Sequence, residues 1–341
     1  MNTLSEPLGI IIIGAGDMGR RHAQHWRTAG AKVIAICDPD LARAASIAQT
    51  LGAEAVADYQ EMLKNPAVQV ASVCTPTHLH EGATVNCLEA GLHVLCEKPI
   101  ALTLTAAERM RDAAAKNKLE LRIGFMRRFE PIFHELQRMM DAQSGIIKGS
   151  VQITAGIRPK ILMHDKNANG GPIIDMCCHI FDVWKTLFKG KPQLLSASGT
   201  SYAQDNPALA SIRDKAIDSA VATFGFSEGH RLQLLVSWGL PAGVPFSEKH
   251  TYISKDGLIE VDWNYQSNTV CLHDGVGSST YRGERDPWQG EILQFYKELT
   301  QNAPREVADA QDGVDALELS LAMLDAIDLE TNKLKANGVE A

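Results

Sequence analysis

One short segment constrains the fold of this chain more than any other: "IIIIGAGDMG", residues 10–19. An apolar run that ends at glycine indicates a buried parallel strand entering a tight turn. Gly14, Gly16 and Gly19 have the GxGxxG spacing, in which the first glycine permits the turn, the second admits a pyrophosphate and the third allows close helix packing. The spacing predicts a dinucleotide-binding turn; a purely structural glycine turn is the alternative.

The residues that follow supply the rest of such a unit. The helix pattern "RRHAQHWRTAG" ends at Gly30, and the strand pattern "AKVIAIC" leads to Asp38. Asp38 lies 19 positions after Gly19, close to the spacing of a carboxylate that binds the cofactor ribose. An acid there favours NAD, because it would repel the 2′-phosphate of NADP. An arginine can accommodate that phosphate, so Arg43 leaves NADP as the alternative cofactor.

Strand and helix patterns alternate as far as residue 125. Further strands are predicted at Gln69–Cys74, Leu92–Cys96 and Leu119–Phe125, with helices between them. This alternation predicts a doubly wound parallel sheet in a Rossmann domain of residues 1–125. Ligands of such sheets bind beyond the carboxyl ends of the strands, where the segments "CTPTHLH" and "CEKP" lie.

Residues 126–341 are predicted to form a second domain, for substrate binding and oligomerisation. Consecutive strand patterns joined by hairpin signals predict a large, mostly antiparallel open sheet with helices on one face. The predicted strands are Ile147–Ile157, Leu194–Tyr202, Asp218–Phe226, Arg231–Trp238, Lys249–Ser254, Leu258–Trp263 and Thr269–His273. The fold class is therefore α/β, with a parallel Rossmann sheet followed by an α/β domain on this second sheet.

Charge and cysteine usage narrow the partners and the location. The formal net charge of −8 argues against nucleic acid and anionic membranes. No apolar run reaches the ~20 residues of a membrane span, and the N-terminal tail lacks the features of a signal peptide. The seven cysteines include no CxxC pair, and several lie in apolar strand patterns. Reduced thiols and a cytoplasmic location are expected.

Five segments, in order, resemble the signature segments of the glucose-fructose oxidoreductase / inositol dehydrogenase / MocA family. They are "GAGDMG", "TPTHLH", "AGLHVLCEKP", "GFMRRFEP" and "GGPIIDMCCHIFD". The resemblance implies an NAD(P)-dependent dehydrogenase or reductase of sugars, inositols or related polyols. It also implies association through the C-terminal sheet, so we expect a homodimer or homotetramer.

The glycine loop and the two edge segments contain the residues expected at the cofactor. By resemblance, Thr75, Pro76 and His80 line the nicotinamide-ribose side, although His80 also suits a helix start. The Lys98–Pro99 peptide is expected to be cis, which would aim the lysine. The expected cofactor-binding residues are Gly14, Gly16, Asp17, Met18, Gly19, Asp38, Thr75, Pro76, His80, Glu97 and Lys98.

The segment "GGPIIDMCCHIFD", residues 170–182, places two adjacent cysteines between an aspartate and a histidine. It predicts a helix after a "GGP" breaker, with Asp175, His179 and Asp182 on one face. A disulfide between Cys177 and Cys178 would need strained geometry. A metal site on Asp175 and His179 would need further ligands. A hydride-transfer site accounts for Asp175, His179 and the predicted dinucleotide-binding domain together.

In that site, His179 takes the proton from the reacting hydroxyl as hydride leaves the carbon. Asp175 orients the groups that handle the proton and supplies a negative charge beside them. Lys98, which follows a strand end, completes the catalytic set; a surface lysine is the alternative. Which of His179 and Lys98 accepts the proton stays open, because coupled groups share their titration. The predicted substrate-binding residues are Lys98, Arg128, His164, Asn167, Asp175 and His179, with solvated side chains as the alternative for Arg128, His164 and Asn167.

The sequence therefore predicts an NAD-dependent oxidoreductase that acts on a secondary hydroxyl of a cyclic polyol or sugar. A polyol suits a site of hydroxyl-bonding polar groups rather than a strong charge clamp. Two alternatives remain: an NAD-dependent glycosidase of the same fold, and a non-catalytic sugar or dinucleotide sensor.

Overall fold

The structure of the chain is a computed structural model that describes residues 7–263, 268–283 and 286–336. The N-terminal tail before residue 7, part of the argument on location, lies outside the described residues. The strands β1 to β14 are Gly9–Ile13, Lys32–Cys37, Glu54–Val56, Val70–Val73, His93–Cys96, Leu121–Ile123, Lys148–Gly156, Gln193–Thr200, Ser219–Gly225, Arg231–Leu240, Ser247–Ile253, Gly257–Trp263, Asn268–Asp274 and Ser278–Arg282. The helices α1 to α9 are Asp17–Ala29, Leu41–Leu51, His80–Glu89, Leu104–Asn117, Pro131–Asp141, Gly171–Asp175, Cys177–Leu187, Pro287–Gln301 and Ala310–Ala336.

The chain divides into two compact units. The first comprises Met1–Phe129 and Asp286–Val314, and the second comprises Glu130–Arg285 and Asp315–Ala341. The sequence assigns everything after residue 125 to one domain, whereas in the structure α8 belongs to the first unit. Trp26 of α1 packs edge-on against Phe295 of α8, with ring centroids 6.0 Å apart. This aromatic contact packs α8 onto α1 of the first unit.

The first unit is built on a parallel sheet. Its strand order is β3-β2-β1-β4-β5-β6, and all neighbours are parallel. All five residues of β1 are buried, and burying each isoleucine contributes about 1.5–3 kcal/mol. The order and direction of the strands confirm the predicted doubly wound sheet.

The turn after β1 depends on two glycines. Gly14 has a φ of 101°, and a Cβ there would lie 2.6 Å from the Cys74 carbonyl oxygen. A Cβ on Gly19 would lie 1.8 Å from the Gly14 carbonyl oxygen. Only glycine allows α1 to approach the turn this closely, which is the role that the spacing assigned to the third glycine.

The second unit is built on an eight-stranded sheet of order β14-β13-β12-β11-β7-β10-β9-β8. Among the strands that the structure describes in this sheet, only β7 and β10 pair in parallel, so the mostly antiparallel sheet is confirmed. Helix α7 covers one face, where Phe181 and Trp184 pack on Phe224 with ring centroids 5.2 and 5.5 Å apart. The prediction that the apolar face of this helix is packed is therefore confirmed.

One helix prediction is wrong. The sequence places Asp175 and His179 in one continuous helix after a "GGP" breaker. In the structure, α6 already begins at Gly171 with Pro172 in its first turn, where proline is preformed for a helix. Met176 separates α6 from α7. Asp175 and His179 thus belong to consecutive helices rather than to successive turns of one helix.

Candidate active site

The carboxyl edge of the first sheet is held by a buried hydrogen-bonded chain, the His22 chain, made of Trp26, Ser72, His22 and Glu97. Trp26 Nε1–H donates to Ser72 Oγ at 3.2 Å. Ser72 Oγ lies 2.7 Å from His22 Nδ1, and His22 Nε2 lies 2.9 Å from Glu97 Oε1. Nε2–H of His22 donates to the Glu97 carboxylate, and the Ser72 hydroxyl joins Nδ1 to the Trp26 indole.

Glu97 connects this chain to Lys98. Its second oxygen, Oε2, accepts the backbone N–H of Lys98 at 3.2 Å. Burial tends to raise the Glu97 pKa, but the hydrogen bond and attraction from His22, with the charge and N–H of Lys98, lower it overall. The Lys98–Pro99 peptide is cis, as expected. The carboxylate therefore fixes the backbone at Lys98 from inside the unit.

His80, the first residue of α3, bridges the two edge segments. Its Nδ1 lies 2.8 Å from the Pro99 carbonyl oxygen, and its Nε2 lies 2.9 Å from that of Thr75. Burial lowers the pKa of the imidazole, against the opposing effects of both carbonyl groups and Glu97. The ring joins the ends of β4 and β5, and its contact with a cofactor stays a prediction.

Asp38 lies beside the glycine loop. Its Oδ2 accepts the backbone N–H of Ala15 at 2.8 Å, and its Oδ1 accepts that of Asp40 at 2.9 Å. Arg43 lies 3.9 Å from Asp38 and 3.3 Å from Asp40, so two carboxylates offset its charge. A carboxylate has about four acceptor positions, so Asp38 retains capacity for a ribose hydroxyl.

Three features of the edge fit a bound dinucleotide. A Cβ on Gly16 would meet nothing within 4 Å among the described residues, so the space beside the loop is open. Asp17 and Met18 begin α1, and the amides at a helix start suit a pyrophosphate. Thr75 Oγ1 is buried and has no hydrogen-bond partner within the described part of the chain, just before Pro76. A buried hydroxyl without a hydrogen-bond partner costs free energy, and a ligand that bonds to it would remove that cost.

The second unit contains the acid and the histidine predicted to handle the proton. Asp175, at the end of α6, and His179, in the first turn of α7, are both buried, as is Asp182. The Cys178 thiol donates to the Asp175 carbonyl oxygen at 3.3 Å. Burial is the main cause that raises the Cys177 pKa well above its usual value, and the Glu248 carboxylate adds to it. Cys177 is therefore a neutral packing residue.

A second buried chain, the His250 chain, lies beneath α7 and is made of Trp184, Tyr252, His250 and Glu248. Trp184 Nε1–H donates to Tyr252 Oη at 3.3 Å. His250 Nδ1 lies 3.0 Å from that oxygen, and His250 Nε2 lies 2.8 Å from Glu248 Oε1. Residues 248, 250 and 252 alternate along β11 and so face the same side. The chain ties α7 to the centre of the sheet.

Three predicted substrate residues already have partners within their own units. Arg128 forms an ion pair with Asp312 at 3.0 Å. His164 is buried, and its Nε2 accepts the backbone N–H of Arg158 at 2.9 Å. The Asn167 amide donates to Asp214 at 3.0 Å on the surface. Their contacts with substrate stay predictions.

All seven cysteines are free thiols. Within residues 7–263, 268–283 and 286–336, no three His, Cys, Asp or Glu side chains are grouped as metal ligands. In the same ranges, no helix combines the length and apolar character needed to cross a bilayer.

Comparison with known proteins assigns the chain to a family. A family model described as "Oxidoreductase family, NAD-binding Rossmann fold" matches residues 8–125, and the "GFO/IDH/MocA C-terminal domain" model matches residues 152–253. The chain belongs to the Gfo/Idh/MocA family. Its first unit is therefore an NAD-binding Rossmann domain, as predicted.

Named members of the Gfo/Idh/MocA family resemble the chain to different extents. The D-glucoside 3-dehydrogenase of Escherichia coli is 30% identical over 259 residues, which cover 69% of this chain and 72% of that protein. The inositol 2-dehydrogenase of Corynebacterium glutamicum is 33% identical over 186 residues, 53% of this chain and 54% of that protein. The crystal structure of an oxidoreductase domain protein from Kribbella flavida has a TM-score of 0.83 at 21% identity, covering 95% and 98% of the two chains. The chain spans 54% to 64% of the length of the first curated relatives that it matches, including this inositol 2-dehydrogenase.

Within this Gfo/Idh/MocA fold, sequence reasoning missed the two histidines that anchor the buried chains. His22 lies three positions after Gly19 and four before Trp26, so helical spacing places all three on the buried side of α1. His250 alternates with Glu248 and Tyr252 along a strand. Both signals were present, but a histidine on an apolar face does not reveal its partner.

Proposed function

We propose that this protein is an NAD-dependent oxidoreductase that acts on a secondary hydroxyl of a cyclic polyol or sugar. The observation that carries the proposal is the Rossmann edge of an oxidoreductase-family chain, where Glu97 is buried, held by His22, and bonded to the backbone of Lys98. A rigid edge that presents a lysine suits hydroxyl deprotonation beside a bound dinucleotide. The relatives named as inositol and glucoside dehydrogenases support the substrate class.

NAD, when bound, supplies the acceptor for the hydride that leaves the carbinol carbon. The residues proposed to hold it are the glycine loop, Asp38 at a ribose, and Thr75 through its buried Oγ1. Pro76 and His80 are proposed, with Thr75, to line the nicotinamide-ribose side of the cofactor. These residues lie at the carboxyl ends of strands, in the turns that follow them or in the first turn of the next helix, where doubly wound sheets bind ligands.

Lys98, Asp175 and His179 are proposed to handle the proton on one substrate. His179 or Lys98 accepts the hydroxyl proton, and Asp175 orients the accepting group and stabilises its positive charge. A proton acceptor is needed because hydride removal without deprotonation would leave a protonated carbonyl. Arg128, His164 and Asn167 are proposed to bind other hydroxyl groups of the substrate.

The activity test is a panel of inositols, aldoses and glycosides, with NAD and NADP, followed at the NADH absorbance band. We expect NADH to form with at least one cyclic polyol or sugar. Glycosides are included because a glycosidase of this fold would release free sugar without net NADH. Absence of reduced cofactor in every mixture, in both reaction directions, would contradict the proposal.

The proposed catalytic residues are tested by Lys98→Ala and His179→Ala. Turnover should fall by about 10²–10⁴-fold, the usual contribution of a positioned acid or base, while NAD binding by titration stays close to normal. Matched controls are Lys64→Ala and His134→Ala, which remove an exposed lysine and an exposed histidine from the same two units. Near-normal turnover in both test variants would show the assignment to be wrong.

Asp38 is proposed to set the preference for NAD. Asp38→Ala removes the charge that would repel a 2′-phosphate. It also removes one of the two carboxylates beside Arg43, so that more of the arginine charge is available to a 2′-phosphate. We expect the ratio of kcat/KM for NAD over NADP to fall. An unchanged ratio would exclude Asp38 as the selective residue.

The assembly proposed for this oxidoreductase is a homodimer or homotetramer formed through the C-terminal sheet, in the cytoplasm. Val221 and Ile253 are exposed on strands whose alternate residues are buried, so the face opposite α7 is partly apolar. Burying such side chains favours association. Light scattering during size-exclusion chromatography tests this, and a monomeric mass would contradict it.

A further inference from the structure

An arginine with no assigned role lies at the carboxyl ends of β7 and β10. Arg158 follows β7, and Trp238 lies near the end of β10, which runs parallel to β7. The guanidinium carbon of Arg158 lies over the Trp238 ring, 5.6 Å from its centroid, and over the Phe246 ring at 5.8 Å. Cation–π attraction at these distances orients the guanidinium without using any of its N–H donors.

Those donors have no acceptor in the described parts of the chain. There, no carboxylate forms an ion pair with Arg158, and its buried Nε has no hydrogen-bond partner. Trp238 Nε1, also buried, lacks a partner in the same ranges. A buried donor without an acceptor costs about 1–3 kcal/mol. Two such donors in contacting side chains mark a place where an incoming oxygen acceptor would be stabilised.

The neighbouring titratable groups leave Arg158 as the cation of this cluster. His164 Nε2 accepts a hydrogen bond from the Arg158 backbone, so this ring nitrogen carries no proton. Burial lowers the His164 pKa, Asp218 opposes the shift and the Arg158 charge adds to it. The Asp218 carboxylate is held by the N–H groups of Tyr202 and Ala203 and by the Ser219 hydroxyl. Asp218 is thus hydrogen-bonded locally, and within the described residues it forms no ion pair with the guanidinium.

The cluster lies at the same end of the second unit as the candidate proton-handling residues. Helix α6 packs against β10 and against the short turn Ile161–His164. Asp175 ends that helix. An oxygen acceptor bound by Arg158 would therefore belong to a molecule that occupies the region beside α6.

We propose that Arg158 binds an oxyanion of the substrate, either a carboxylate or a phosphate, so that the preferred substrate is an acidic sugar derivative rather than a neutral polyol. Arginine suits this role because its planar fork of donors matches both groups bidentately. The proposal rests on the proposed function and specifies the substrate of the same site.

The test compares glucose with glucuronate and glucose 6-phosphate, which differ only at carbon 6. Binding to the full chain is measured by titration calorimetry, without cofactor and with NADH, which blocks oxidation; turnover is measured with NAD. We expect one acidic ligand to bind at least 10-fold more tightly than glucose. Which acid is preferred distinguishes a carboxylate site from a phosphate site.

Arg158→Met should reduce that advantage by about 10- to 100-fold, the value of a hydrogen-bonded charge pair. Arg158→Lys keeps the charge without the fork and should restore part of it. Arg282→Met, on β14 at one edge of the sheet, removes the same charge four strands away from β7 and should leave the advantage intact. Thermal unfolding of each variant identifies misfolding.

Two results would overturn the inference: wild-type protein that binds neither acid more tightly than glucose, or Arg158→Met that weakens glucose and the acids equally. NADH formation from neutral sugars alone, without tighter binding of an acid, would contradict the anion site and still support the proposed function. Arg158-dependent binding of an acid without NADH formation from any ligand would support the anion site and contradict the proposed function.

Discussion

The His22 chain should contribute several kcal/mol to the stability of the first unit, about 3–5 kcal/mol through its buried His22–Glu97 pair. His22→Leu removes the hydrogen-bonded partner of Glu97 inside the first unit, where both side chains are buried. Removing one partner of a buried pair costs about 3–5 kcal/mol, because the other charge stays buried. For a domain of 150–250 residues, each kcal/mol shifts Tm by about 2–4 °C. We therefore expect the midpoint of the first unit to fall by roughly 6–20 °C.

The assay is differential scanning calorimetry, which separates transitions when two units unfold independently. His25→Leu is the matched control: it lies one turn later on α1, and its partner Asp286 is half exposed. The His25 side chain is only 14% exposed, but its half-exposed carboxylate partner stays solvated when the histidine is removed. A pair screened in this way contributes about 0–1 kcal/mol, so this control should lower Tm much less than His22→Leu.

A second substitution tests the cause directly. Glu97→Gln in the wild-type background should destabilise, because an NH2 group replaces one of the two carboxylate oxygens that accept from His22 and the Lys98 N–H, and the negative charge is lost. In the His22→Leu background the same substitution removes a buried charge that has lost its imidazole partner, so it should be neutral or stabilising. An equal loss in both backgrounds would refute the reasoning, since the two residues would then not be coupled.

The same pair predicts a pH dependence. The folded-state pKa of Glu97 is lowered, so its stabilisation is present above about pH 4.3, the ordinary value, and is lost as pH falls through the folded pKa. Without His22, burial would instead raise that pKa. The difference in Tm between His22→Leu and wild type should therefore be larger at neutral pH than at about pH 5.

Three further predictions concern single residues. Tyr252→Phe removes the hydroxyl between an indole and an imidazole and should cost the second unit about 2 kcal/mol, measured by calorimetry; an unchanged Tm would contradict it. Gly19→Ala should lose folded protein because its Cβ meets the Gly14 carbonyl, whereas Gly16→Ala should fold but bind NAD more weakly; melting curves with NAD titrations separate the two, and equal behaviour would argue against both roles. Burial lowers the His80 pKa, so below about pH 6.5 the unfolded chain binds more protons and stability falls; His80→Gln should flatten the decline of Tm between pH 7 and 5, and an unaltered slope would exclude His80 as its source.

Local patterns predicted the first unit well, because its signals are short and contiguous. The apolar run before Gly14, the glycine spacing and the strand before Glu97 each fix a strand and its turn without distant information. Strands β3 and β14 were missed for the opposite reason. Glu54–Val56 is only three residues long, and every residue of Ser278–Arg282 is exposed, so neither shows the apolar alternation that marks a strand.

The residues of the candidate site could likewise be predicted from local sequence, but their partners could not. The sequence by itself determined which residues could bind a dinucleotide and which could move a proton, because those roles depend on residue type and on spacing within one segment. Only the tertiary structure decided that His22 partners Glu97 across 75 positions, that α8 joins the first unit, and that α6 ends at Asp175 before α7 begins. It also decided that Arg158 stacks on Trp238 and Phe246 without a carboxylate from the described residues beside it. The physical reason is that burial and hydrogen bonding join residues far apart in the chain, and a local pattern records the need for a partner but not its identity.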